Sequence, residues 1–379
     1  MIYKDIDLVK LHLKQTPPKT GPNASSRLQQ MLADERLVTS YQLYWLGAIL
    51  DELKEPEANP SIPYRRIVLR MIAKCWYSIE KFRLNLGRTD KLAEAVKKLS
   101  NHVKLEATYK EADTLEALEG LPLSVTNKFV DYFTRYVPSR LIAVFYQAEV
   151  SDLKDYLRDK ELARISCDRD DAIYQNHIKE RKIVINSKWY EYIKENMAII
   201  CGWHRERLIS FLQRRNPSVP AIPMKIEAPQ KRNLNDANRY WSLLHRAAIT
   251  KGAPLTDIYT AAPVEKPFTI DHFIPWTFVL HDQLWNLAPT SKSMNSAKSN
   301  RLPALQKYLV PFCKQQFDAL QLALKTKTIP KKTIEEYYTV FTPEELRNMP
   351  LEPFTDKLSA AIQPLHQIAQ NMGFQIWQD

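Results

Sequence analysis

Residues 267–303 place two strand-like stretches and a polar stretch in direct succession, each followed by a proline. The first stretch, after Pro267, is rich in β-branched and aromatic residues and ends at Pro275, and Leu284–Pro289 is predicted to be a second strand that ends at its proline. Ser291–Asn300 is predicted to be a short polar helix that ends before Pro303. Strand, loop, strand and helix within fewer than forty residues predict a compact unit.

Helical periodicity dominates the remainder of the chain. In Tyr64–Trp76, Val68, Met71, Ile72 and Cys75 recur at helical spacing and predict a buried stripe. Further helices are predicted near residues 26–53, 90–103, 126–161, 187–215, 304–326, 332–338, 343–348 and 355–372. The predicted fold class is therefore mainly α, with one small ββα unit.

Proline-rich stretches divide the chain, because proline ends helices and biases the preceding residue toward extended geometry. The stretch from Pro217 to Pro223 is the preferred domain boundary. We predict a helical N-terminal region at 1–220, a domain at 221–310 with its core at 266–303, and a C-terminal helical region at 311–379 that packs on this domain.

Composition excludes several classes of protein. Only 7 glycines occur in 379 residues, and none forms a phosphate-cradling GxGxxG or GxxxxGK[ST] loop. The 4 cysteines form no CxxC pair, which argues against a zinc knuckle or a disulfide scaffold. No apolar run reaches the length of about 18 residues that a membrane helix needs, so we expect a soluble, cytoplasmic protein.

Positive charge points to an acidic partner. The net charge is +11, and residues 179–251 hold fifteen Lys and Arg against six Asp and Glu, interleaved with tryptophans and tyrosines. Such a surface suits nucleic-acid phosphates, although solvated helix faces over an aromatic core would give the same pattern. The candidate nucleic-acid-binding residues are Arg205, Arg207, Arg214, Arg215, Lys231, Arg232, Lys292 and Arg301.

The side chains of the compact segment suit phosphodiester hydrolysis. That reaction needs a base to activate water and a cation to stabilise charge on the phosphate. His272 is suited to be the base, and the oxygens of Asp271 and Asn295 are hard ligands appropriate to Mg²⁺. Neighbouring side chains on a strand point to opposite faces, so Asp271 is expected to face the cation and His272 to approach the water from the other side.

Two further polar residues are predicted to support this site. Asn286, on the second strand, could hydrogen-bond the backbone of the loop between the strands and fix the placement of His272. Asn295 and Lys298 lie three residues apart on one face of the predicted helix. Lys298 could therefore touch the phosphate whose metal Asn295 binds.

The segment resembles an HNH nuclease, specifically the HNN variant of the ββα-metal fold. His272 and Asn286 are 14 residues apart, Asn295 follows after 9 more and Lys298 after 3 more. The segment is particularly similar to the HNH domain of the RNA-guided type II CRISPR effector in its Asp-His-x-x-Pro opening, its Asn-x-x-Lys-Ser helix and its closing proline. The resemblance covers residues 266–303 and does not extend to the guide-binding lobes.

By this resemblance His272 is the general base, Asp271 and Asn295 bind one Mg²⁺ or Mn²⁺, Asn286 is the structural asparagine and Lys298 contacts phosphate. Many HNH nucleases also carry CxxC pairs around a structural zinc, and no such zinc is expected here. A carboxamide in the last ligand position, often histidine in the family, favours hard cations over Zn²⁺ or Ni²⁺. His281-Asp282 repeats the His/acid pairing in the loop, but no ligand spacing connects His281 to Asn295, so it is interpreted as a decoy.

These features predict an endonuclease acting on double-stranded DNA in a bacterial anti-phage or restriction-like system. Residues 1–220 would recognise DNA, sense a signal or bind a protein partner or activator. Because one site cuts one strand at a time, concerted scission would need a homodimer. The alternatives are a non-catalytic nucleic-acid-binding subunit that retains the HNH fold, and a homing-type endonuclease. The sequence leaves three questions open: whether one strand or both strands are cut, which base sequence is preferred, and whether the substrate is DNA or RNA.

Overall fold

A computed structural model describes residues 24–105, 110–227, 232–326 and 328–378. The fold is mainly α, as predicted, with a few short strands. No helix in these ranges combines the length and the apolar character needed to cross a membrane.

The helices of the described residues span Ala24–Met31, Tyr41–Lys54, Tyr64–Glu80, Leu92–Leu99, Glu111–Glu119, Leu123–Thr134, Val137–Ile142, Gln147–Val150, Asp155–Asp168, Ser187–Glu195, Met197–Arg215, Ile222–Lys225, Asn235–Thr250, Trp276–Val279, Lys292–Lys298, Leu305–Lys325, Lys331–Ile334, Pro343–Asn348 and Leu351–Asn371. Short 3-10 helices lie at Asp34–Arg36, Ala143–Phe145, Leu284–Asn286 and Glu335–Thr339. The strands are Ser61–Pro63, Tyr174–His177, Lys182–Ile185, Thr269–His272, Leu287–Thr290, Leu302–Pro303 and Ile376–Trp377.

The chain forms two compact units, the first made of Met1–Pro217 with Lys225–Pro229 and the second of Ser218–Met224 with Gln230–Asp379. We call these the helical unit and the C-terminal unit. The second unit joins the predicted regions 221–310 and 311–379 in one body apart from Lys225–Pro229, while the domain limits at 220 and 310 stay predictions.

The helical unit is organised around the helix Tyr64–Glu80. All four residues of its predicted stripe are buried: Val68, Met71, Ile72 and Cys75. A three-stranded antiparallel sheet, which the sequence interpretation did not anticipate, sets Lys182–Ile185 between Ser61–Pro63 and Tyr174–His177. The single helix predicted at 126–161 is instead divided into four helices, because the chain repeatedly turns to bury short apolar faces.

The C-terminal unit packs long helices over a β-hairpin. The helix Leu305–Lys325 supplies Phe312, which stacks on Phe273 with ring centroids 4.2 Å apart, and Gln316, whose Nε2 donates to the Leu287 carbonyl at 2.7 Å. The Tyr337 hydroxyl donates to Oε1 of Gln316 at 2.6 Å. Packing and buried hydrogen bonds therefore fix the hairpin.

Candidate active site

A hairpin and a short helix build the site. The first strand, Thr269–His272, pairs antiparallel with the second strand, Leu287–Thr290, so that Asp271 lies opposite Ala288. The second strand is shorter than predicted, because Leu284–Asn286 forms a 3-10 turn before it. The site helix, Lys292–Lys298, begins after Ser291, whose hydroxyl caps it by accepting from the Met294 N–H.

The site helix is bonded to the first strand through Asn295. The carboxamide nitrogen of Asn295 donates to Oγ1 of Thr269 at 3.1 Å and to the carbonyl of Ile270 at 3.3 Å. Asp271 follows Ile270 in the chain. Asn295 therefore lies beside the strand position that carries the predicted carboxylate ligand, and its Oδ1 is left to accept or coordinate.

Asp271 is buried, with 3% of its surface exposed. Its Oδ2 accepts a hydrogen bond from the Tyr259 hydroxyl at 2.5 Å. Burial, reinforced by the charge of Asp271, raises the pKa of Tyr259 well above its ordinary value, so this hydroxyl remains a donor. Lys298 Nζ lies 3.1 Å from Oδ1 and 3.0 Å from Oδ2 of the same carboxylate.

Lys298 does not lie at the surface, as direct contact with a phosphate would require. Its exposed fraction is 0%, and besides Asp271 its ammonium contacts the backbone carbonyl of His272 at 2.7 Å. The alignment of Asn295 and Lys298 on one helix face is correct, but that face points into the protein because the buried carboxylate attracts the ammonium. The phosphate contact stays a prediction.

His272 diverges from Asp271, as alternation along the strand requires. Its Nε2 lies 2.8 Å from Oδ1 of Asp282, and Oδ2 of Asp282 accepts from the backbone N–H of Asn233 at 3.0 Å. Burial raises the pKa of Asp282, but the hydrogen bonds from His272 and Asn233 outweigh it and lower the pKa below its ordinary value. An ionised Asp282 only accepts, so Nε2 carries the proton and Nδ1 is the basic nitrogen.

Asn286 is fully buried and bonds the turn that follows the first strand. Its Oδ1 accepts from the N–H of Ile274 at 2.8 Å, and its Nδ2 donates to the Ile274 carbonyl at 2.9 Å. The carbonyl of Asn286 also accepts from the N–H of Phe273 at 2.8 Å. These bonds fix the backbone directly after His272.

Asp271 and Asn295 are the residues that could hold a divalent cation. A carboxylate and a carboxamide oxygen are hard donors that fit Mg²⁺ or Mn²⁺. No group of three or more His, Cys, Asp or Glu side chains is arranged to hold a metal ion within the described ranges. The remaining ligands of such an ion would therefore be water and substrate oxygens.

The predicted basic residues of the helical unit have partners within that unit. Arg207 and Arg214 both pair with Asp34, and their hydrogen bonds and charges, opposed by slight burial, lower the pKa of that carboxyl. Arg205 pairs with Glu227 at 2.5 Å, and Arg215 donates to the Val38 carbonyl at 2.9 Å. These arginines are engaged in structure, and their contact with nucleic acid stays a prediction.

The other predicted basic residues differ in placement. Arg232 and Lys292 are exposed, and Arg301 donates to the carbonyls of Ala297 and Lys298 at the end of the site helix. Arg301 therefore stabilises the helix terminus, where carbonyls lack partners in the helix. Lys231 lies outside the described residues.

Residues 257–304 match the family model described as HNH endonuclease. Neither the curated proteins nor the solved structures gave a significant match. The matched segment contains the hairpin and the site helix in full. The chain therefore carries an HNH-family domain, and its expected substrate is a nucleic acid.

Sequence interpretation overlooked two residues of the site. Asp282 stands next to His281, the decoy residue of the loop, yet the carboxylate of Asp282 contacts His272, the predicted base. Tyr259 lies outside the core 266–303, although the family match does include it. The pairing of an acid with a histidine recurs at His281-Asp282, and this repeat was the sequence signal that could have identified Asp282. No spacing rule points to Tyr259.

Proposed function

We propose that this protein is a divalent-metal-dependent HNH endonuclease that hydrolyses phosphodiester bonds in double-stranded DNA. The observation that carries the proposal is the His272–Asp282 pair, 2.8 Å apart, at the strand position next to Asp271, the proposed carboxylate ligand. A base with a fixed tautomer and a hard-cation site at adjacent chain positions are the two components that the reaction requires.

His272 acts as the general base. Asp282 accepts the proton-bearing Nε2, so Nδ1 is free to take a proton from the attacking water. As Nδ1 gains that proton, the ionised Asp282 stabilises the resulting imidazolium, as the acid does in other His–Asp pairs. Asn286 keeps the turn after His272 in place and thereby sets the position of the ring.

Asp271 and Asn295 would hold Mg²⁺ or Mn²⁺, which when bound supplies positive charge to the scissile phosphate. The hydrogen bonds that the amide nitrogen of Asn295 donates to Thr269 and to the Ile270 carbonyl leave Oδ1 as the atom that can serve as ligand. The hydroxyl of Tyr259 orients the carboxylate of Asp271.

The wider role that we propose is cytoplasmic, in a bacterial anti-phage or restriction-like system. The positive net charge of +11 and the presence of a large helical unit in the same chain support it, because an HNH nuclease must be directed or restrained in its host. The helical unit would then recognise DNA or bind an activating protein. A homodimer would account for double-strand scission.

Supercoiled plasmid tests the activity. Full-length protein is incubated with Mg²⁺, Mn²⁺ or EDTA, and nicked and linear products are measured. We expect metal-dependent cutting that His272→Ala abolishes while DNA binding persists. His281→Ala is the matched control and should retain cleavage, because the Nδ1 of this histidine in the same loop accepts from the backbone N–H of Gln283.

Other outcomes support other functions. DNA binding without cleavage under any metal, unchanged by His272→Ala, would favour a non-catalytic nucleic-acid-binding subunit. Cleavage confined to a single long sequence would favour a homing-type enzyme. Cleavage of RNA in preference to DNA would replace the proposed substrate and leave the roles of His272 and Asp271 intact.

A further inference from the structure

We infer that the ammonium of Lys298 is the cation partner of Asp271 in the metal-free protein, and that a divalent metal ion binds by displacing it. This inference rests on the proposed metal site at Asp271 and Asn295. It assigns to Lys298 a role in metal loading that neither the HNH motif nor its position in the sequence indicates.

The contacts of Lys298 carry the inference. Its ammonium is fully buried and lies 3.1 and 3.0 Å from the two oxygens of the Asp271 carboxylate. Its third contact, at 2.7 Å, is the carbonyl of His272. All three contacts lie at the strand positions that carry the proposed ligand and base, so Lys298 occupies the cation position of the site itself.

Electrostatics make the two cations alternatives. A buried carboxylate needs a positive partner, because an unpaired charge in the protein interior is strongly unfavourable. Lys298 meets that need when no metal is present. A metal ion on the same carboxylate would lie close to the ammonium, and like charges at short range in a poorly screened interior repel strongly.

The site helix determines where the displaced ammonium goes. Lys298 follows Asn295 by three residues and shares its helix face, so a change of side-chain rotamer keeps Nζ next to the site. In its new position the ammonium would face the substrate phosphate. The phosphate contact predicted from the sequence would therefore form only in the metal-loaded enzyme.

Metal affinity gives the first test. Mn²⁺ binding to the full-length protein, without DNA, is measured by the EPR signal of free Mn²⁺. Lys298→Met removes the ammonium and keeps the length of the side chain, and we expect it to tighten Mn²⁺ binding at least 10-fold. Lys314→Met is the matched control, because it makes the same substitution at an exposed lysine of the same unit that pairs with Asp318; we expect less than a 3-fold change.

The accessibility of Lys298 gives a second test, which uses the unaltered protein and so does not depend on whether a variant folds. Lysine acylation is quantified by mass spectrometry in EDTA and in saturating Mg²⁺. Lys298 should be protected in EDTA and become several-fold more reactive in Mg²⁺. Lys292, exposed on the same helix, is the internal standard and should react equally in both.

Asp271→Asn separates the failure of this inference from the failure of the proposed site. If Mn²⁺ affinity is the same with Asp271→Asn as with the unaltered protein, the proposed metal site itself is wrong. If Mn²⁺ binding depends on Asp271, yet Lys298→Met does not tighten it and Lys298 stays protected in Mg²⁺, the displacement is wrong and the metal site stands.

Discussion

Asp282 shows how one side chain sets the chemical state of another. It accepts from Nε2 of His272 and is held in turn by the backbone of Asn233. The position of Asp282 therefore depends on Asn233, which is distant in the chain. The tautomer of His272 depends in turn on the negative charge of Asp282. We regard it as a positioning residue, because it acts on the reaction through His272.

The variant Asp282→Asn tests this role. Asparagine can present its amide group to Nε2 and favour the wrong tautomer of His272, so we expect the cleavage rate to fall by up to about 10⁴-fold, the effect of the same change in other His–Asp pairs. The loss should lie in kcat, with Mn²⁺ affinity and DNA affinity unchanged. Asp356→Asn, at an exposed position of the same unit, is the control.

Asn286 contributes to stability through both of its amide atoms. Asn286→Ala would leave the N–H and the carbonyl of Ile274 without their buried partners, so we expect a loss of about 2–4 kcal/mol in the free energy of unfolding. Urea denaturation of the full-length protein measures the loss. A stability equal to that of the unaltered protein would show that water satisfies these groups instead.

At the scale of elements, His204 joins two helices of the helical unit. It lies on Met197–Arg215 and its Nε2 contacts the Leu43 carbonyl, on Tyr41–Lys54, at 2.7 Å. The helices approach this closely because Gly47 lacks a side chain: a Cβ there would lie 2.8 Å from Cε1 of His204. Burial lowers the pKa of His204 to about 4.

This lowered pKa predicts a pH-dependent stability. The unfolded chain takes up a proton near pH 6.5, whereas folded His204 does so only near 4, so the stability present above pH 6.5 falls as the pH drops toward 4. Relative to His204→Gln, the unaltered protein should lose about 2 kcal/mol between pH 7 and pH 5. Urea unfolding at both pH values measures this difference.

His102→Gln supplies the control for that comparison, because His102 is exposed in the same unit. It should follow the pH dependence of the unaltered protein. If the stability of His204→Gln shows the same pH dependence as that of the unaltered protein, His204 titrates in the folded state as it does in the unfolded chain. Burial would then not lower the pKa of His204.

At the scale of the whole molecule, net charge predicts salt-dependent binding to DNA. Arg207 and Arg214 already pair with Asp34, whereas Arg232 and Lys292 are exposed basic residues of the other unit. Arg232→Ala and Lys292→Ala should each reduce the slope of log affinity against log salt by about 1. Arg207→Ala should leave the slope unchanged, because Arg207 already pairs with Asp34.

Fluorescence anisotropy in EDTA measures these slopes without cleavage. Binding that does not respond to salt would contradict direct recognition of DNA through the basic residues. An equal effect of Arg207→Ala would show that DNA displaces Asp34 from its arginines, and that the helical unit contributes phosphate contacts.

The sequence by itself determined the mainly α fold class, the ββα order and the HNH-family domain. These features depend on local patterns: helical periodicity, proline positions and the fixed spacing of His272, Asn286 and Asn295. It also predicted that Asn295 and Lys298 share a helix face, because that follows from helix geometry alone. It did not predict the sheet of the helical unit, in which Ser61–Pro63 pairs with Lys182–Ile185, more than a hundred residues further along the chain.

Only the tertiary structure decided where the charged side chains point and which groups they contact. Lys298 turns inward to Asp271, Asp282 reaches His272, and Asp34 engages Arg207 and Arg214. Each of these contacts joins positions separated by other elements. Their physical cause is the requirement that buried or clustered charges find partners, and the folded chain alone determines which partners are within reach.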